Sequence, residues 1–415
     1  MHKSEELQKV DILIDQSRYK EAASITLDLL TGAPNNPELL AKLGQIRMFM
    51  GMHSDALEHI TKAISLEPEE AYYFALRSGV YLRELDLKKA RTDISEAIRL
   101  DPYNATYFGI ASFYECELKN YTKALELADR GLELDPREAT CLNSRSTSLT
   151  KLGRHDESFA TIEDALAEDP NNAQTHTNYG WNLLEAGKKE KALEHFKQAV
   201  QLEPTHEYAK AGMAEALKSK YWAYRLYLKY QFFLNKLPER AQWGVIIGAY
   251  ILFRLLNKVL KANPELGPVL YPLLALYSIF ALSSWLLGPL GDCYLAFNKY
   301  GHVLLDERER LVGKIIGAEL AITGLSLIGF VASGFTPLFL LIAGVSFTMI
   351  IPTGKAGKTR KKGILFYAPF IMGVFGLSAI SFAAVNGVLD NQYTIVYFIS
   401  LFLYFWVANF AIARE

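Results

Sequence analysis

Cysteine is scarce, with three in 415 residues, and Cys116, Cys141 and Cys293 lie too far apart for a disulfide framework or a zinc site. They fit a reducing compartment. Histidine is almost missing from the second half, where His302 is the only one. The others, His2, His53, His59, His155, His176, His195 and His206, are dispersed and make no HExxH pair. The chain also lacks a phosphate-binding P-loop and a glycine-rich dinucleotide turn, so no cofactor is expected. Residues 1–10 are charged and carry no apolar core, so no cleavable signal peptide is expected.

Proline, by contrast, is placed by rule. It falls at Pro34, Pro68, Pro102, Pro136, Pro170 and Pro204, an unbroken interval of 34 residues. An interval of that size marks stacked helical units rather than an enzyme core. Fourteen residues ahead of each proline a loop ends and a second helix begins. Twelve ahead stands a small residue: Ala22, Ala56, Ala90, Ala124, Ser158, Ala192. A larger side chain where two helices cross would push their axes apart. The same reasoning covers Ala63, Ala97, Gly131, Ala165 and Ala199, a column that Leu29 breaks in the first unit. Gly51, Gly153 and Gly187 mark inter-helix turns, and Asn35, Asn104 and Asn171 are placed to cap the helices that follow.

With Gly44, Ser78, Ser112, Ser146 and Gly180 as the small residue of the first helix in units two to six, residues 3–206 resemble the tetratricopeptide repeat family. The large residue expected three places before the alanine is Tyr19 and Tyr121 in two units only, and His53, Leu87, His155 and Lys189 elsewhere. The resemblance implies a right-handed superhelix of six repeats whose concave groove holds a peptide or another protein. It does not imply catalysis. The lysine and asparagine clamp by which some relatives hold a terminal carboxylate is not assembled, because the first-unit positions read Leu7, Gln8 and Asp11.

Charge divides the chain. Residues 1–204 hold 34 acidic and 24 basic residues, a net of −10, and the remainder holds 11 and 20, a net of +9. Nucleic acid is therefore not an expected partner of the repeats, since a phosphate-binding surface needs the opposite sign. Overall, 50% of residues are hydrophobic and the mean hydropathy is +0.07, high for a soluble protein.

The excess lies beyond residue 241. Apolar runs cover 241–260, 267–289, 312–332, 336–352, 364–387 and 392–412, most near the ~20 residues that cross a hydrocarbon core. The first carries Arg254, Asn257, Lys258 and Lys261 on one helical face, which alone would suit a helix lying along a membrane surface. Six spans with cytoplasmic repeats, however, put Lys299, Arg308 and Arg310, and the loop 353–363 with Lys355, Lys358, Arg360, Lys361 and Lys362, on the cytoplasmic side. Five spans would put both groups outside. The expected fold is thus all-α: a six-repeat solenoid, a capping or interfacial segment at 207–240, and a polytopic membrane domain at 241–415, with both termini cytoplasmic. A bacterial inner membrane is the simplest setting.

The segment 207–240 begins like a seventh first helix, with Tyr208, Ala211 and Gly212. Its aromatic residues Tyr221, Trp222, Tyr224, Tyr227, Tyr230, Phe232 and Phe233 then interleave with Lys218, Lys220, Arg225 and Lys229. That composition suits both a headgroup boundary and a cap on the last repeat.

Groove positions on the first helices give Lys42, Gln45 and Phe49, then Tyr72, Leu76 and Arg83, then Phe113, Asn143, Asn178 and Trp181. Aromatic rings early and amides late suit an extended peptide, which offers both side chains and unpaired backbone groups. Packing between units is the competing use of the same rings.

In the membrane half, Glu319 stands well inside the third span, with Arg254 as its prospective ion-pair partner. Such residues build proton relays, and a transporter or membrane enzyme around Glu319 with regulatory repeats is the alternative reading. Gly344 and Ser346 resemble the serine region of rhomboid-like proteases, but the last span holds no histidine base, which excludes that chemistry. Gly313, Gly317 and Ala321 allow close approach of a neighbouring helix, in the same chain or in a second copy. The expected role is a membrane-anchored scaffold that binds a protein or peptide and holds it at the lipid bilayer.

Overall fold

The computed structural model describes residues 2–359 and 363–412, and every regular element among them is helical. Arg360, Lys361 and Lys362 of the expected basic loop lie outside the described residues. The chain divides into two compact units, the first ending at Pro204 and the second beginning at Thr205.

Six helix pairs build the first unit: α1 (His2–Asp15) with α2 (Tyr19–Gly32), α3 (Pro37–Phe49) with α4 (His53–Leu66), and α5 (Ala71–Arg83) with α6 (Leu87–Leu100). The series continues with α7 (Ala105–Glu117) and α8 (Tyr121–Leu134), α9 (Ala139–Lys151) and α10 (His155–Glu168), and α11 (Ala173–Glu185) and α12 (Lys189–Leu202). Both the starts and the turns of these helices obey the 34-residue interval. Two residues after the proline, the side chains of Asn36, Glu70, Asn104, Glu138 and Asn172 each accept a backbone N–H of the first helix. The caps are therefore Asn36 and Asn172, one residue beyond the expected Asn35 and Asn171, because the turn after each proline takes one more residue.

The inter-helix turn places one residue per repeat in the left-handed region: Ser17, Gly51, Leu85, Lys119, Gly153 and Gly187, with φ between +58° and +83°. Only three of the six are glycine, although the conformation favours it. Helix crossings are as tight as the small columns demand. Ala22, Ala56, Ala90, Ala124, Ser158 and Ala192 are fully buried. A Cβ on Gly180 would come within 2.6 Å of the Phe196 ring. Where serine replaces glycine its hydroxyl must find an acceptor: Ser112 donates to the Ala124 carbonyl at 2.6 Å, and Ser146 to that of Ser158 at 2.9 Å.

The second unit comprises α13 (Glu207–Lys218), α14 (Trp222–Lys236), α15 (Glu239–Ala262), α16 (Gly267–Ala296), the short α17 (Gly301–Leu304), α18 (Glu307–Ala332), α19 (Pro337–Lys358), α20 (Ile364–Asn386) and α21 (Gln392–Ile412). Five stretches, within α15, α16 with its preceding turn, α18, α19 and α20, are long and apolar enough to cross a membrane. The apolar stretch of α21 described by the structure is shorter, at 392–408.

Two expected loops are helical. Lys355 and Lys358 lie in the last turns of α19, and Arg308 and Arg310 in the first turns of α18. The local reason is visible at α18, where Asp306 and Glu309 form a capping box that satisfies two helix-end donors. The small stripe of α18 is filled within the chain. A Cβ on Gly313 would meet Ala296 at 2.6 Å, and one on Gly317 would meet the Phe297 ring at 3.0 Å, so this face packs on α16.

Candidate functional site

First helices of the repeats carry all ten residues expected of a groove. Tyr72, Phe113 and Arg83 are the open ones, the first two at 40% and 39% exposure. Partial desolvation by its surroundings pushes the Tyr72 hydroxyl above its usual range. Phe49 is half-buried and stacks on Tyr19 at 5.4 Å, with the exposed Arg83 guanidinium over its ring at 5.7 Å. That makes Phe49 partly a joint between repeats. Leu76 is withdrawn into the core with Leu40, Met48 and Val80, so it supports the first helix from behind. Lys42 is tied to Asp11 by a 2.6 Å ion pair, and half-buried Gln45 has an Oε1 that receives no hydrogen bond. Trp181 lies edge-on to Phe196 at 5.5 Å.

The two asparagines meet. Asn178 Nδ2 donates to Asn143 Oδ1 at 3.0 Å, while Gln174 Nε2 donates to Asn178 Oδ1 at 2.9 Å. Asn143 Nδ2 is spent on the Ala139 carbonyl and on Thr175 Oγ1. Each carbonyl oxygen keeps one lone pair and Asn178 keeps one N–H, so the ladder retains a donor and two acceptors. Lys151 and Glu185, 34 residues apart and partly buried, pair at 2.5 Å. Their pairing was not expected, although the spacing by one full repeat was a readable signal.

Repeat six also holds a partly buried histidine pair. His176 Nε2 lies 3.0 Å from the Pro170 carbonyl, which can only accept, so Nε2 carries the proton. In the neutral pair His176 Nδ1 then accepts from His195 Nδ1–H at 2.9 Å. Burial, reinforced by His176, pushes His195 down to about 4.

In the second unit, Glu319 and Arg254 are not brought together. Among the described residues no ion pair joins them: Thr353 Oγ1 donates to Glu319 Oε1 at 2.8 Å, and Arg254 is exposed on α15, which packs on α16 rather than α18. The buried charges lie instead at the end of α16. Asp292 accepts from Lys218 at 2.9 Å and Lys358 at 2.8 Å, joining α13, α16 and α19. The Lys218 stem runs over Gly291, where a Cβ would come within 2.8 Å of it. Burial alone would lower Lys218, but Asp292 and Glu215 outweigh it and hold the ammonium above its usual range. Burial likewise opposes ionisation of Asp292, and the two lysines overcome it, keeping that acid below the usual carboxylate range. Tyr224 completes the cluster by donating to Glu215 at 2.7 Å. No sequence spacing announced this arrangement, which depends on three helices meeting.

Family models described as tetratricopeptide repeat match residues 37–70, 114–173 and 173–206, and none matches the rest of the chain. Among solved structures, the chain is similar to YrrB, titled a TPR protein with an unusual peptide-binding site, at 21% identity over 45% of this chain and 96% of that one, with a TM-score of 0.33. It is similar to a tetratricopeptide repeat protein from Parabacteroides merdae at 17% identity over 58% and 96%, with a TM-score of 0.43. A third similarity is to Pseudomonas aeruginosa pilF, at 15% identity over 51% and 96%, with a TM-score of 0.42. No curated protein matches the chain.

Proposed function

We propose, with residues 37–206 as tetratricopeptide repeats, that the chain is a membrane-anchored scaffold whose groove binds a protein or extended peptide and holds it at the bilayer. The observation that carries this reading is the joining of such repeats to five helices apolar enough to cross a membrane. The work done is binding and localisation rather than catalysis: the spans restrict diffusion to two dimensions, and the groove selects what joins them. Tyr72 and Phe113 take apolar side chains of the ligand, and the Asn143–Asn178 ladder takes its backbone. An acidic repeat half favours protein over nucleic acid.

With α21 as a sixth span, the repeats and both termini are cytoplasmic, because Lys299, Arg308, Arg310, Lys355 and Lys358 then gather on one side. A bacterial inner membrane is the setting we assign. The segment 207–240 lies at the headgroups, with Trp222 and Phe233 outward and Tyr224 and Leu228 inward.

The test is selection of a displayed peptide library on residues 1–204, followed by affinity measurement on the Tyr72→Ala/Phe113→Ala variant with helicity checked by circular dichroism. Affinity should fall at least about tenfold, since two aromatic contacts at roughly 1 kcal/mol each are lost. Equal affinity in a folded variant places the ligand elsewhere.

A further inference from the structure

Glu319 is the thirteenth of the 26 residues of α18, about 18 Å from its start and about 20 Å from its end at 1.5 Å per residue. Its Oε1 accepts from Thr353 Oγ1 at 2.8 Å, and its Oε2 is buried with no hydrogen-bond partner. A carboxylate there needs a cation, and among the described residues none pairs with it. On α19, Lys358 pairs with Asp292, and Lys355 reaches over the Trp285 ring at 5.9 Å. On α16, Asp292 is held by two lysines, while Cys293 lies beside the bare face of Gly317. On α18 itself, Arg308 donates to the carbonyls of Ala356 and Thr359. On α21, Tyr397 is within electrostatic reach of Glu319, but its hydroxyl meets Thr348 at 2.7 Å and the Val345 carbonyl at 3.2 Å. Lys314, also on α18, is exposed, and the side chain of His302 in α17 lies outside the described residues.

We propose that Glu319 is a proton-binding site inside the helical bundle, standing as the neutral acid with Thr353 donating to its carbonyl oxygen and the bound proton on Oε2. An unpaired charge in hydrocarbon costs several kcal/mol, and the acid avoids it by taking a proton. Thr353 suits this state, because a hydroxyl donor satisfies a carbonyl oxygen as well as a carboxylate oxygen. The inference rests on the reading of α18 and α19 as spans.

Full-length protein in oriented bilayers, compared with Glu319→Gln by infrared difference spectroscopy at neutral pH, tests it. The wild type should show a neutral-acid C=O band that vanishes in Glu319→Gln, with the thermal midpoint unchanged because the amide mimics the neutral acid. Loss of a carboxylate band instead overturns the proposal. Should Glu319→Gln fail to fold, Thr353→Val serves: it removes the donor to Oε1, so the acid band should move to higher frequency, and an unmoved band overturns the assignment. Polarised amide absorption from the same films reports the helix direction. Helices lying in the film plane would defeat the span reading separately from the protonation.

Discussion

Asn178 donates to Asn143 across the joint between two repeats, 3.0 Å apart in space and 35 residues apart in sequence. The bond turns two groove amides into a lateral ladder that orients what remains of their hydrogen-bonding capacity. In residues 1–204, Asn178→Ala should cost about 1 kcal/mol in urea unfolding. A double-mutant cycle with Asn143→Ala should return a coupling of roughly 0.5–1 kcal/mol. Additive effects would mean that the two amides do not act together.

Acid should loosen the sixth repeat. His195 is held down to about 4, against an ordinary histidine value near 6.5, so between those values the unfolded chain binds a proton that the folded chain refuses. Stability from this pair is complete above pH ~6.5 and is lost as pH falls toward 4, by about 1–2 kcal/mol after allowance for partial exposure. Unfolding of residues 1–204 across this range, compared with His195→Gln, isolates the pair from the carboxylates. Identical pH slopes in the two proteins would refute the assignment.

Three turns carry a residue other than glycine in the left-handed region, Ser17, Leu85 and Lys119. Leu85 and Lys119 have φ of +60° and +63° where three other repeats have glycine, and Leu85 is 83% exposed, so its side chain contributes little packing. Leu85→Gly and Lys119→Gly should each raise stability by about 0.5–1 kcal/mol, and Gly153→Ala should lower it by about 1. Thermal melts of the three variants decide the sign.

The Lys218–Asp292 pair is buried at both ends, whereas Lys358 is 53% exposed. Lys218→Met should therefore destabilise the full chain in detergent by roughly 3 kcal/mol, and Lys358→Met by less than about 1. Joint replacement, Lys218→Met with Asp292→Leu, should recover most of the loss. Equal effects of the two lysine variants would show that burial does not govern this cluster.

Much of the architecture was legible in advance. The proline interval located six helix pairs, and the apolar runs located the helices of the second half, α15 to α21 apart from the short α17, because both signals act over a few residues of chain. Helix propensity, turn chemistry and hydropathy are local. The misreadings were local too: Asn36 and Asn172 cap where Asn35 and Asn171 were expected, and the basic residues Lys355 and Lys358 continue α19.

The chain alone settled the repeat and the extent of its apolar segments. Folding alone settled which polar groups meet: Asn143 with Asn178, Lys218 with Asp292, and Glu319 with Thr353 instead of Arg254. Such pairings depend on how each helix is rotated and crossed against its neighbours, and that is decided by the packing of Gly180 on Phe196 or Gly313 on Ala296. Charge and spacing name the candidates; close contact between helices chooses among them.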